Sequence, residues 1–401
     1  MISSEYSQSI GLSHGMPGAI VVGGDYQGLG IVRSLGRRDI PVCIIDDEYS
    51  ISRFSRYATH ALRVPSLRLE HDAVKAVVDI ALKLGLMGWV LYPTREELVA
   101  AFSRHRSALS KILRVPTPAW PIVELAWDKR MTYQRAEQLG IPTPRTWYVH
   151  SAEDVRKIDG QPPFALKPAI KEHFLYATKA KAWRANSLAE LEQRFCQATQ
   201  HMDSDEVIIQ ELIPGDGRQQ FAYCAFFKDG AALGRMVVRR RRQHPIEFGR
   251  ASTFVETIDH PELVSMSEKF LRSMNYYGLV EIEYKLDLRT SEYKLLDVNA
   301  RTWGYHSLGY EAGVDFPYML FADQTGLPVE TCIARAGVKW IRLATDLPTA
   351  MLQILRGGLT CRDYLRSLRG LNAEAVFCGK DLLPGLADTA LIPYLFAKRG
   401  F

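Results

Sequence analysis

Glu281, Glu283, Asp297 and Asn299 are oxygen donors at alternate positions of two short segments, a spacing that could hold a hard cation. Residues 280–286 (VEIEYKL) and 293–299 (YKLLDVN) alternate polar with apolar side chains. The residues between them are polar, so the pair reads as a β-hairpin. Alternation sends Glu281, Glu283 and Lys285 to one face, and Val280, Ile282, Tyr284 and Leu286 to the other. On the second strand Leu295, Asp297 and Asn299 share a face. A register symmetric about Thr290 sets Glu283 opposite Asp297 and Glu281 opposite Asn299. Facing carboxylates repel across a strand pair. A divalent cation between them removes that cost, and Mg2+ takes such ligands together with substrate phosphates. The plain alternative is a solvated sheet face with its acids in water.

The elements around the hairpin carry cations. Residues 164–167 (FALK) form a strand ending in Lys167, which either snorkels from the core or reaches for an anion. The segment after it, KEHFLYATKAKAW, holds Lys171, Lys179 and Lys181 and reads as a phosphate lid or a solvated loop. Residues 207–212 (VIIQEL) form a strong strand, and 221–227 with 233–239 a further hairpin. The run from Arg239 to Arg242 prolongs that hairpin, two arginines to each face, with Arg240 and Arg242 assigned to the acid face. Helices are expected over 130–139, 188–200, 261–274 and 315–325.

At the N-terminus, strand 19–23, the turn GDYQGLG, a helix over 31–37 and strands at 41–46 and 89–92 describe a βαβ unit. Gly23, Gly24, Gly28 and Gly30, with Asp46 and Asp47 beyond, are similar to a dinucleotide fingerprint, but their spacing departs from G-x-G-x-x-G. The polar PTREE follows the 89–92 strand, where open α/β sheets bind ligands. A proline-rich boundary lies at 115–121. Residues beyond about 330 form a small C-terminal region whose role the sequence does not reveal.

The 401 residues are 47% hydrophobic and 24% charged, with a net charge of +5, so two or three globular α/β domains are expected. That mildly basic balance suits phosphate-bearing ligands and is too weak to imply nucleic acid. Six scattered cysteines without CxxC spacing point to reduced thiols in a cytoplasmic protein. No apolar run is long enough to cross a membrane and the N-terminus lacks a signal-peptide core, so no membrane partner is expected.

The order of FALKP, the lysine-bearing loop, VIIQELIPG, VEIEYK and LLDVNAR resembles the ATP-grasp superfamily of ATP-dependent ligases. The likeness is nearest to the carbamoyl-phosphate-synthase-like carboligases, covers about residues 18–328, and extends to RRRRQHP and the DKR segment. It implies an α/β and α+β chain: a polar tail (1–17), a Rossmann-like pre-ATP-grasp domain (18–118), two lobes closing on ATP (119–328) and a C-terminal region (329–401). It also implies residue roles. Lys167 would hold the α/β-phosphates, and Lys179 or Lys181 would be the second phosphate lysine. Gln210, Glu211 and Leu212 would line adenine, with Asp216 at the ribose. Glu283, Asp297 and Asn299 would bind Mg2+, or Mn2+ in its place. Arg301, with Lys181 and Arg242, would steady the transferred phosphoryl group. The chain departs from the family in having Asp297 where most relatives have Glu, and in lacking a glycine-rich phosphate loop.

The implied chemistry is attack of a carboxylate on the γ-phosphate of ATP, then displacement of phosphate by an amine or other nucleophile. Positioning and cationic clamps carry such a reaction, which agrees with the lack of any Ser-His-Asp or Cys-His arrangement. His306 is the one histidine near the motif, as a substrate contact or as a core or surface residue. A homodimer is compatible with the resemblance. Two other readings are an ATP-binding regulatory module with weak or no catalysis, and a nicotinamide-dependent oxidoreductase built on the GGDYQGLG turn.

Overall fold

Short apolar runs that lie bounded by glycine and proline fold into three sheets. A computed structural model describes residues 17–399 except 171–173, 175, 176, 179 and 250, without the side chains beyond 394. The first sheet holds β1 (Ala19–Val22), β2 (Val42–Asp46), β3 (His60–Arg63) and β4 (Val90–Pro93), all parallel in the order β3-β2-β1-β4. β1 is apolar throughout and β2 is apolar up to Asp46, as strands buried in a parallel sheet require. The second is a small antiparallel sheet of β5 (Thr146–Tyr148), β6 (Phe164–Pro168), β7 (Trp183–Ala185) and β8 (Val207–Glu211), in the order β5-β8-β6-β7.

The third sheet is the centre of the molecule. It contains β9 (Gln220–Lys228), β10 (Ala231–His244), β11 (Ala251–Ile258), β12 (Gly278–Asp287) and β13 (Glu292–Asn299), with β14 (Cys332–Ile333), β15 (Lys339–Ile341) and β16 (Ala373–Glu374). β15 pairs with β11, β16 with β15, and β14 with β10. Three short segments after residue 330 are thus strands of this sheet, a role their mixed polarity did not announce.

Alternation along the central strands divides two cores. Val237, Val280, Ile282, Tyr284, Leu295 and Val298 pack beneath the helices Lys129–Gln138 and Pro261–Ser273. From the opposite face Cys224, Phe226, Val238 and Val255 join Val21, Ile44 and Tyr92 of the first sheet, together with Trp303 and Trp340. That shared core welds the two sheets, each fully buried aromatic contributing about 2–3 kcal/mol.

Polar staples fix the same junction. Arg33, buried on the helix Tyr26–Gly36, donates through Nε to Asp381 Oδ2 at 2.9 Å and through Nη2 to the carbonyls of Val376 and Asp381. Asp381 also accepts from Ser55 Oγ at 2.8 Å and Arg56 N at 2.9 Å. A buried guanidinium so held becomes costly if its carboxylate is removed. Asp381→Ala is expected to destabilise the chain by about 3–5 kcal/mol in urea unfolding; a loss below about 1 kcal/mol would show the staple to be dispensable.

Candidate functional site

Between the small sheet and the central sheet lies a cleft of about 820 Å3. The hairpin β12–β13 forms its floor. Glu283 is paired directly across from Asp297, and Glu281 from Asn299, the register expected from the sequence. Asn299 Nδ2 donates to Glu281 Oε2 at 3.0 Å and Glu283 Oε1 at 3.2 Å, while its Oδ1 accepts from Arg301 at 3.3 Å. Leu295 departs from expectation. A β-bulge pairs Tyr284 with Leu295, so Leu295 enters the core and Leu296 lines the cleft instead.

Acids this close need cations, and distant elements supply them. Lys129 is the first residue of its helix, directly after the N-cap Asp128. Its buried Nζ donates to Asp297 Oδ1 at 2.8 Å, and Lys181 Nζ stands 3.9 Å from Oδ2. Burial alone would lower the Lys129 pKa, but Asp297 raises it on balance. Arg240 reaches Glu283 Oε2 at 3.2 Å. Glu281 is buried, accepts from the Tyr305 hydroxyl, and has its pKa raised by burial and then by Glu283. Lys129 and Glu281 were the residues that sequence reasoning underused. The signal for Lys129 was the Asp–Lys pair opening a helix just past the proline-rich boundary.

Lys167 is the penultimate residue of β6, before Pro168, and faces the same cleft. Its Nζ donates to Tyr133 Oη, which in turn donates to Leu296 O at 2.8 Å. Desolvation, then repulsion from Lys129, lowers its pKa to about 7. Gln210, Glu211, Leu212 and Asp216 line the far end. There Gln210 Nε2 donates to Thr146 Oγ1 at 2.7 Å, and Leu212 N to Pro163 O at 3.1 Å. Glu211 is spent on Lys294 and Arg289 at 2.6 and 2.7 Å, and Asp216 on Arg218 at 2.9 Å.

Other expected residues lie elsewhere. Arg242 does not share the cleft with Arg240, because register shifts on either side of it turn the strand. It is buried instead on Asp346, 2.8 Å away, and against Phe254 and Tyr364. Lys179 lies outside the described residues. Arg301 is held by Glu96 Oε1 at 2.6 Å, so the PTREE segment supplies its counter-ion. His306 is a core residue packed against Gly30, with Nδ1 on Trp303 O at 2.8 Å. The glycine turn closes on itself: Gly24 N donates to Asp46, and Arg95 pairs with both Asp46 and Asp47. Asp46 is therefore engaged within the turn, where the nicotinamide reading needs it open to a ribose.

Glu283, Asp297 and the Asn299 amide oxygen are the hard donors that a divalent ion of the magnesium type accepts. No group of three or more His, Cys, Asp or Glu forms a metal cluster among the described residues. An ion here would therefore draw further ligands from the amide, water and substrate oxygens.

Residues 225–344 match the family model described as ATP-grasp in the biosynthetic pathway with Ter operon. The chain is 22% identical over 297 residues to D-aspartate ligase of Enterococcus faecium (strain Aus0004), covering 70% of each chain. Its fold is similar to L-amino acid ligase from Bacillus licheniformis, with a TM-score of 0.61 and 15% identity over 79% of this chain and 75% of that one. N5-carboxyaminoimidazole synthetase from Staphylococcus aureus gives a TM-score of 0.64 at 14% identity, over 85% and 86%. The biotin carboxylase domain of Hydrogenobacter thermophilus 2-oxoglutarate carboxylase, solved with MgADP and bicarbonate, gives 0.64 at 16%, over 81% and 74%.

With its pKa near 7, Lys167 is an ammonium below that pH and mostly an amine above it. A polyphosphate in the cleft favours the ammonium, so binding must draw a proton from solution. Calorimetry of ATP binding in buffers of different ionisation enthalpy should show uptake approaching about one proton at about pH 8, and little at about pH 5.5. Unchanged uptake in Lys167→Met would assign the proton to another group.

Proposed function

We propose that this chain, a member of the ATP-grasp superfamily, is an ATP-dependent ligase that joins a carboxylate to an amine or related nucleophile through an acyl phosphate. The observation that carries the reading is the distribution of charge: cations approach the acid floor of the cleft from both sides. Lys167 and Lys181 stand on the small-sheet side, with Lys129 beside Asp297; Arg240 meets Glu283 on the other side, and Arg301 reaches Asn299 at the end of the hairpin, outside the cleft lining. A triphosphate laid between them places its γ-phosphoryl group above the hairpin. The two amino-acid ligases among its relatives agree with an amine acceptor.

In this reading Lys167 grips the α/β-phosphates, and Lys181 or Lys179 takes the second lysine role. Gln210 to Leu212 border adenine and Asp216 the ribose. Glu283, Asp297 and Asn299 hold Mg2+, or Mn2+, which supplies neutralisation of charge on the phosphate oxygens. Lys129 joins this set, its ammonium directed by Asp297 toward the phosphates. Arg240 serves where Arg242 was expected. Arg301 exchanges Glu96 for the transferred phosphoryl group, so closure and substrate entry are coupled at one ion pair.

The carboxylate oxygen forms a bond to the γ-phosphorus as the β–γ bridging bond breaks, and ADP leaves. The nucleophile nitrogen then bonds to the acyl carbon, phosphate departs with the C–O electron pair, and the nitrogen loses a proton. Fixed cations stabilise the charge that spreads in both steps, with no covalent bond to the protein.

ADP release measured against a panel of carboxylates and amines, amino acids first, tests the reading. With carboxylate present and the nucleophile withheld, positional isotope exchange should scramble label between the β–γ bridge and the β-nonbridge oxygens of ATP. AMP as the stoichiometric product would overturn it, and ATP binding without any turnover would favour a regulatory module.

Asp297→Ala removes a metal ligand and the partner of Lys129, so kcat should fall at least about 100-fold. Far-ultraviolet circular dichroism of that variant should stay native, and a near-normal kcat in folded protein would remove Asp297 from the site.

A further inference from the structure

The helix Leu343–Leu355 is inverted with respect to ordinary amphipathicity. Its buried side carries Asp346, on Arg242, and Thr349, whose hydroxyl meets His244 Nδ1 at 3.0 Å. Its outward side carries Leu343, Leu347, Met351 and Leu355, every fourth residue, with exposures of 36, 48, 56 and 83%. Over the 13 residues that stripe runs ~18 Å. More than half of the exposed large apolar side chains among the described residues lie between Leu343 and Ile392.

Further exposed apolar side chains are tied to the stripe by polar links. Glu374 accepts from Leu343 N at 3.0 Å and Val376 N at 2.6 Å and also from Phe377 N, which brings the exposed Phe377 beside the start of the stripe. Arg342 pairs with Asp388 at 2.9 Å, joining the helix Leu383–Arg399 with its exposed Leu383 and Leu386. Exposed apolar side chains gathered on linked helices in this way mark an interaction site.

Charge names the partner. The exposed charged residues from 343 to 394 are Arg356, Arg362, Arg366, Arg369 and Lys380 against the single acid Asp363. Every other acid of that stretch is buried or half-buried on an internal donor: Asp346, Glu374, Asp381 and Asp388. Leucines bordered by arginines are what a surface helix offers to an anionic bilayer, apolar side chains entering the acyl boundary while cations meet the headgroups. A second copy would bring the same excess of positive charge against it.

From this surface we infer that the helices of residues 343–394 dock on an anionic lipid membrane and hold the chain there as a peripheral protein. No helix is long and apolar enough to cross a membrane among the described residues. The sequence expectation of no membrane partner rested on spanning length, which does not register a surface helix. The inference is independent of the ligase reading, since the stripe lies outside the cleft.

Co-sedimentation of the full chain with vesicles tests it. The chain should pellet with phosphatidylcholine vesicles containing about 30% phosphatidylglycerol, and not with phosphatidylcholine alone. About 0.5 M salt should release it. Leu347→Glu with Met351→Glu, and separately Arg356→Glu with Arg362→Glu, should each lower the bound fraction by about tenfold, with melting temperatures near that of the parent. Failure to bind anionic vesicles overturns the inference, as does equal binding to neutral ones. So does a solution dimer that the Leu347/Met351 pair dissociates while vesicle binding is absent; the stripe would then be an interface between copies.

Discussion

Mutual repulsion of Glu281, Glu283 and Asp297 is the constraint around which the molecule is arranged. Unit charges about 4 Å apart interact by about 4 kcal/mol at the effective dielectric near a protein surface, so three carboxylates on neighbouring positions cannot stand alone. The chain answers with cations from separate places: Lys129 from a helix start, Arg240 from the middle strand, and Lys181 from the small sheet's approach. The Asn299 amide spans two of the acids as a neutral donor. The helix of Lys129 shares the hairpin's core while the small sheet has its own, so acids and cations meet only when both cores are in place.

The same logic ties the first sheet to the site. Glu96 begins the helix Glu96–Arg104 just past β4, and its carboxylate occupies Arg301. Trp303 and Tyr305, following Arg301, lie in the core shared by the first and central sheets. Arg301, two residues from Asn299, is thereby held by the first sheet. The C-terminal strands contribute to the frame, because β15 and β16 extend the central sheet and Asp346 takes up Arg242.

Much of this was legible because period-two alternation reports side-chain direction. It placed Glu283 against Asp297 and set Val280, Ile282 and Tyr284 toward a core. The pattern failed where the backbone leaves its period. Leu295 and Arg242 both sit at register shifts, and an inserted residue reverses every later face while leaving composition untouched. Lys129 was obscure for another reason: its partner is 168 positions away in sequence, and only tertiary structure brings a helix start to a strand end. Residues after 330 hid their part in the central sheet because strands of two or three residues leave almost no periodic trace. The glycine turn suggested a ribose site, and its acids went to Arg95.

The bulge at Leu296 also bears on how this hairpin can diverge. Between the acids and the tip, one strand carries an extra residue, so the turn and the acid pairs are counted in different registers. Were the strands regular, a one-residue slip of their pairing would send Asp297 and Asn299 into the core. With a bulge already present, its removal or a second one nearby can absorb that change of parity. The tip at residues 288–291 is therefore separated from the oxygen donors by a point at which the parity of the strand can be reset.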